Sequence, residues 1–249
     1  MKGLRNPVLL VSLSTSNPQY QVLYSQAREL ANYLLRKSKF ERFASFYSSS
    51  LPPAVIVSKE GIAELVGVHF YLNIEGARDL ILLAGFASPQ GDEYEFGMEV
   101  LSFAKKLGVT ELISTGARWN EEPIPPLEMP QVLGFASDEV GVKWLEDNGV
   151  HILKDESAFY FANTIIGMAQ MQGIRGYKLS VNHGEPTPHP KSIAALLGII
   201  SKKVGMSFDT SDLEQGAKEL AEVIRSSGYE LQGARAGEGQ DQRKEDIYR

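Results

Sequence analysis

Apolar positions along the chain follow two rhythms, short continuous runs and helical stripes, and these alternate. Val8–Leu13 is an apolar run interrupted by one serine and closed by Ser14-Thr15-Ser16-Asn17-Pro18, as expected of a buried strand feeding a loop with helix-capping side chains. Tyr20–Lys37 places Val22, Leu23, Ala27, Leu30, Ala31, Leu34 and Leu35 on one helical stripe. Phe43–Tyr47, Ala54–Val57 and Val66–Leu72 are rich in aromatic and β-branched residues and read as strands. Leu80–Ala84, closed by Gly85, reads as a strand buried on both faces. Phe96–Leu107 is helical and ends at Gly108, and Glu111–Thr115 is the next strand, closed by Gly116.

Glu122–Pro130 holds four prolines and predicts a semi-rigid surface excursion. Beyond it come a strand at Val132–Ala136, a helix over Asp138–Asn148, a short strand at Val150–Leu153, a helix over Phe159–Gln172 and a strand at Tyr177–Val181. Pro186, Pro188 and Pro190 stiffen the approach to a helix at Lys191–Val204, and Asp209-Thr210-Ser211-Asp212 caps a last helix reaching about Ser226. Strands alternating with helices predict an α/β fold with a largely parallel central sheet flanked by helices, and the clustered early strands predict an antiparallel edge. From Gly233 to Asp246 no large apolar residue appears, too little to offset the entropy of ordering. The expected division is one α/β domain over 1–232 and a disordered tail over 233–249.

Composition narrows the function. With 43% hydrophobic and 22% charged residues over 249 positions, the chain reads as globular with a sizeable core. A net charge of −6 argues against a nucleic-acid partner, because phosphate binding needs a basic face. The absence of cysteine removes thiolate nucleophiles and Cys-ligated metal centres. Val8–Val11 is too short for a signal-peptide core or a membrane span, so the expectation is a cytoplasmic protein without a membrane partner.

Candidate chemistry gathers where predicted strands end, since ligands of open α/β sheets lie beyond the carboxyl ends of the strands. Arg118, His183 and Glu185 lie in or beside such ends and could converge, Arg118 on an anion and His183 with Glu185 as acid and base. The plainer reading pairs Arg118 with Glu185 and lets His183 satisfy a loop backbone group; it stands ahead, because spacing alone fixes no geometry. His183, Glu185 and His189 are also conceivable metal ligands, but the prolines restrict their loop and no metal-site spacing is present, so no metal is expected. Gly167, Gly173 and Gly176 lie within or after a helix, where packing or C-capping explains them better than phosphate binding. Trp119 and Trp144 read as core or interface anchors. No cofactor and no catalysis are expected, with a phosphorylase- or hydrolase-like enzyme as the rival reading and a scaffold with some other tail partner as a third.

Asn182-His183-Gly184-Glu185-Pro186-Thr187-Pro188-His189-Pro190, Ser192–Leu197, Asp209–Leu213 and Leu80–Gly85 resemble the corresponding segments of the archaeal relatives of proteasome assembly chaperone two. The resemblance spans roughly Pro7 to Ser226 as an ordered series of elements. It departs at Ser14–Pro18, where the family often carries a glycine-rich loop. It implies a nucleoside-phosphorylase-like fold, self-association and interaction with the proteasome core particle. Such chaperones and activators use a C-terminal hydrophobic–Tyr–any-residue motif, which Ile247, Tyr248 and Arg249 match position by position. The partners this implies are core-particle α-subunits, further copies of the chain in a homo-oligomer larger than a dimer, and a paralogous chaperone. Val68–Leu72 and Pro123–Pro130 are the segments expected to supply the self-association surface.

Overall fold

The computed structural model describes residues 3–14, 26–119, 124–183 and 189–227, with Trp119, His183 and Ser227 described by their backbone only. In chain order the elements are β1 (Val8–Leu13), α1 (Gln26–Lys37), β2 (Glu41–Phe46), β3 (Val55–Val57), β4 (Ala63–Leu65), β5 (Val68–Asn73), β6 (Leu80–Gly85), α2 (Glu93–Lys106), β7 (Glu111–Trp119), β8 (Val132–Ala136), α3 (Glu139–Asp147), β9 (His151–Ile152), α4 (Phe161–Met171), β10 (Arg175–His183), α5 (Pro190–Val204) and α6 (Ser211–Ser227).

One eight-stranded sheet has the order β2-β5-β6-β1-β7-β10-β8-β9. Its centre, β6, β1, β7 and β10, is parallel throughout. Antiparallel β5 and β2 form one flank, and β8, antiparallel to β10, begins the other. The α/β class, the parallel centre and the antiparallel early edge therefore agree with the sequence reading. β3 and β4 stand apart as a two-stranded hairpin, its turn closed by Gly61 at φ 80°. The sequence reading gave strands at Ala54–Val57 and Val66–Leu72 and left β4 unassigned.

Alternation along the strands builds a core on each face. Val8 and Leu10, Leu80 and Leu82, and Tyr177, Leu179 and Val181 face α1 and α5 on one side. Leu9, Val11 and Leu13, with Ile81 and Leu83, face α2 and α4 on the other. Central strands buried on both faces must be continuously apolar, which is why β1 and β6 were so legible. Gly173, at φ 72°, ends α4, and a side chain at Gly176 would collide with Ile166, so capping and packing account for both glycines.

This topology fixes the geography of any site. α1 and α5 both begin where strands β1 and β10 end, lie on the same face of the sheet and touch each other. The first turn of α5 packs against α6, where Lys191 pairs with Glu214 and Pro190 lies against Gly216.

Candidate functional site

At the carboxyl edge, β7 and β10 run four and two residues further than the sequence pattern indicated, and they stay in register to Asn182↔Arg118 and His183↔Trp119. Arg118 is therefore a strand residue, not a loop residue. Its guanidinium is exposed and pairs with Glu156 at 2.5 Å, a partner 38 positions away that spacing could not suggest. The His183 backbone lies beside this strand end, whereas Glu185 lies outside the described residues. Convergence of Arg118, His183 and Glu185 is thus not a feature of the described residues. Nor do any three His, Asp or Glu side chains among the described residues gather as metal ligands would.

Other polar groups do come together there. On the face covered by α1 and α5, Ser12 Oγ donates to the Ala27 carbonyl in the first turn of α1 at 2.7 Å and meets Thr115 Oγ1 at 2.9 Å. These hydroxyls tie the end of β1 to the middle of β7 and to α1. Four buried side-chain atoms have no hydrogen-bond partner among the described residues: Gln26 Nε2, Ser88 Oγ, His189 Nδ1 and Ser192 Oγ. Gln26 is one turn before Leu30 on the core-facing stripe of α1, and Ser192 one turn before Leu196 on that of α5. His189 Nε2 is 3.2 Å from the Pro125 carbonyl. Burial lowers the pKa of the ring, against the opposing effect of the backbone carbonyls of Pro125, Ile124 and His189 itself, so the neutral form is favoured, with Nε2 donating to Pro125.

On the opposite face the amino half of β10 holds Lys178, 3% exposed, with its amine reaching toward Gly116. Burial alone pushes its amine down to about 7, with no carboxylate restoring the charge. Gly116 on the adjacent strand makes room for it, since a Cβ there would lie 2.7 Å from Lys178 Nζ. Neighbouring Ser114 donates to the Ala162 carbonyl at the start of α4, preceded by Tyr160 at φ 71°.

The amino edge of the sheet differs in kind. Glu111 at the start of β7 accepts from Tyr177 Oη at 2.5 Å, pairs with Lys203 Nζ at 2.8 Å and forms a further pair with Arg78. Lys203 also donates to Tyr177 at 2.7 Å and lies 3.9 Å from the Trp144 ring centroid. Burial opposes ionisation of Glu111, yet the hydrogen bonds from Lys203, Tyr177 and Arg78 win and hold its carboxyl at about 2. Arg175 and Asp138 extend the network at 2.7 Å, and Asp138 also caps α3 through the Gly141 N–H. A cleft of about 520 Å³ opens here, lined by Asn6, Thr110, Glu111, Asp138 and Arg175, but its charges are already paired with one another. Trp144 packs against Tyr177 as an anchor, as its sequence context indicated.

Among the segments expected to mediate self-association, Val68–Leu72 is corrected: β5 is paired on both sides, between β2 and β6, with Val68 and Phe70 buried. The proline-rich excursion keeps Leu127 and Met129 exposed, as expected. The hairpin β3–β4 was missed as an exposed surface; Val55, Ile56, Val57, Ile62 and Leu65 are all open to solvent. No helix among the described residues is long and apolar enough to cross a membrane. Ile247, Tyr248 and Arg249 lie outside the described residues.

Several solved structures share this architecture. Pyrococcus furiosus PbaB, described as an archaeal proteasome activator, superposes with a TM-score of 0.74 at 22% identity, over 92% of this chain and 96% of that one. A Mycobacterium tuberculosis proteasome-assembly chaperone homologue gives 0.72 at 16%, over 90% and 96%. Pyrococcus furiosus PbaA, described as an archaeal homolog of proteasome-assembly chaperone, gives 0.68 at 20%, over 95% and 98%. At such identities these likenesses establish the fold. No curated protein matches the chain in sequence. The model of the PAC2 family, however, matches residues 27–226, from the first turn of α1 to the last turn of α6. With the whole helix-flanked sheet inside that match but for β1, the chain belongs to the PAC2 family.

Proposed function

We propose that this chain is a proteasome-interacting assembly chaperone or activator that docks Ile247-Tyr248-Arg249 into pockets of the core-particle α-ring. The observation that carries the reading is this hydrophobic–Tyr–any-residue sequence at the end of a PAC2-family chain, 22 positions beyond the last residue of α6, Ser227. Residues 1–232 form the folded unit in this reading and 233–249 the tether. A coil of that length has a root-mean-square span of roughly 20 Å, enough to reach a pocket from a docked body. The Arg249 carboxylate pairs with a pocket cation, Tyr248 packs and hydrogen-bonds, and Ile247 fills an apolar wall.

One such contact is weak because the tail loses freedom on docking. Several tails on one oligomer raise avidity by roughly 10²–10⁴ without new contacts. We therefore assign a homo-oligomer larger than a dimer. The hairpin β3–β4 supports it as the contact between copies: a free two-stranded ribbon is marginal in water, and its apolar residues are exposed on both strands. The chain acts in the cytoplasm and performs no turnover of its own; His183→Ala and Glu185→Ala leave its function intact.

Binding to immobilised core particles by surface plasmon resonance tests the reading. Deleting the last three residues, adding one residue after Arg249, and Tyr248→Ala should each abolish binding, whereas Arg249→Lys should be mild. Undiminished binding by the extended chain would overturn it.

A further inference from the structure

The paired strands β7 and β10 carry an inference independent of the tail. We propose that the notch left by Gly116 on β7 is the mouth of a covalent modification site, at which Lys178 Nζ condenses with a small aldehyde to form an imine.

Lys178 lies between Tyr177 and Leu179, which belong to the core under α1 and α5, so strand alternation sends its side chain to the other face. Its neighbour in register is Ser114, whose hydroxyl is committed to the Ala162 carbonyl of α4 at 2.6 Å. The amine extends from there toward the carboxyl edge, to Gly116. A Cβ at Gly116 would have Lys178 Nζ at 2.7 Å and Cε at 3.8 Å as its only described contacts within 4 Å, chain neighbours apart. Packing glycines differ: at Gly134 the Lys178 carbonyl and Val150 fill the space, and at Gly176 Ile166 does. Gly116 is partly buried, and Ala117 and Arg118 after it are exposed, so the notch opens outward along β7. The amine is thus buried, yet the side of its nitrogen toward Gly116 has no wall among the described residues.

An amine is a nucleophile only without its proton, and desolvation in an apolar site is one way a lysine is activated. Burial brings Lys178 down to about 7, so about half of it is the free base at that pH. No charged or hydrogen-bonding group among the described residues acts on it, so a charged product would lie here uncompensated. That disfavours a carbamate, which is an anion. An acyl donor brings a leaving group, and a notch the size of one missing side chain does not hold both. A small aldehyde meets the two conditions. The nitrogen lone pair attacks the carbonyl carbon, the carbon–oxygen double bond gives way to a carbon–nitrogen one, and both amine protons leave on the oxygen as water. The imine is neutral, needs no further reactant, and involves no turnover.

Reductive alkylation of the full chain tests the site. Acetaldehyde is applied with cyanoborohydride, which reduces an imine to a stable secondary amine, and the modified lysines are located by peptide mass spectrometry. At pH 7 Lys178 should be ethylated at least about ten-fold faster than Lys143, an exposed lysine of α3, because an ordinary lysine is less than about 0.1% free base there. Its rate should level off above about pH 7 while that of Lys143 keeps rising. Benzaldehyde, whose ring is wider than the notch, should modify Lys143 and spare Lys178. Gly116→Ala, at a position whose φ is not positive, fills the notch and should slow ethylation of Lys178 at least about ten-fold with Lys143 unchanged. Lys178 reacting no faster than Lys143 would overturn the proposal. So would the same ratio of Lys178 to Lys143 labelling with both aldehydes, or undiminished labelling in a folded Gly116→Ala. Should that variant not fold, the two aldehydes on the wild type still decide.

Discussion

The two edges of the sheet handle buried polarity in opposite ways. At the amino edge Glu111, Lys203, Tyr177 and Arg78 form a closed set in which the carboxylate meets three partners, and Arg175 with Asp138 continues it. At the carboxyl edge Gln26, His189 and Ser192 keep unanswered atoms, and Lys178 is buried with burial as the sole influence on its amine. A satisfied network rigidifies, whereas an unsatisfied one costs stability and persists where a ligand or a function recovers the cost. The first edge is built to hold the fold together. The second leaves buried polar atoms without partners among the described residues.

The sharpest way to break this contrast is to open the closed edge. Glu111→Leu leaves Lys203 and Arg78 without their carboxylate, and urea unfolding should show a loss of about 3–5 kcal/mol. The wild type should show the same network in its acid limb. Because the folded carboxyl is held at about 2, below the unfolded value near 4.3, its stabilisation is complete above the unfolded value and disappears as pH falls toward 2. An acid limb in Glu111→Leu that matches the wild type would refute the assignment.

Lys178 should give the next largest effect, with the opposite pH sense. Its amine titrates at about 7 in the fold and near 10.4 unfolded, so between these values the unfolded state binds more protons and stability rises with pH. From pH 7 to 10 the gain should be about 3 kcal/mol by linkage. Lys178→Met should remove this slope and be the more stable protein at pH 7. Ser192→Ala comes third, neutral or stabilising by up to about 1 kcal/mol in chemical denaturation, the inverse of a normal buried hydroxyl deletion. Smallest is Arg118→Ala. Its pair with Glu156 is about two-fifths exposed on each side and should contribute less than about 1 kcal/mol, which a double-mutant cycle with Glu156→Ala can measure.

Parts of this contrast were legible from residues alone. β1 and β6 announced themselves as apolar runs, and the C-terminal caps at Gly108 and Gly173 followed from glycine after a helical stripe. β7 was read short because Gly116 was taken to close it, and β10 because its apolar pattern begins at Tyr177 and ends at Val181. The residues beyond these points belong to strands through pairing between β7 and β10, which no local window shows. Arg118 was recognised as a strand-end cation, but Glu156 as its partner was not. His189 drew attention only as a conceivable metal ligand. Gln26 and Ser192 gave no signal, because an amide or hydroxyl one turn before a helical stripe resembles any solvated helix start.

The sequence by itself determined the alternation of buried strands and amphipathic helices, the antiparallel early edge and the terminal tripeptide. Each of these depends on periodicity, composition or contiguous residues, all of which act within a few positions. Only the tertiary structure decided which polar side chains are buried and which of them find partners. Glu111 meets Lys203 across 92 positions and Ser12 meets Thr115 across 103, and both relations arise from strand order and helix placement. Desolvation and hydrogen-bond satisfaction are properties of that arrangement, so the difference between the two edges exists only once the chain has folded.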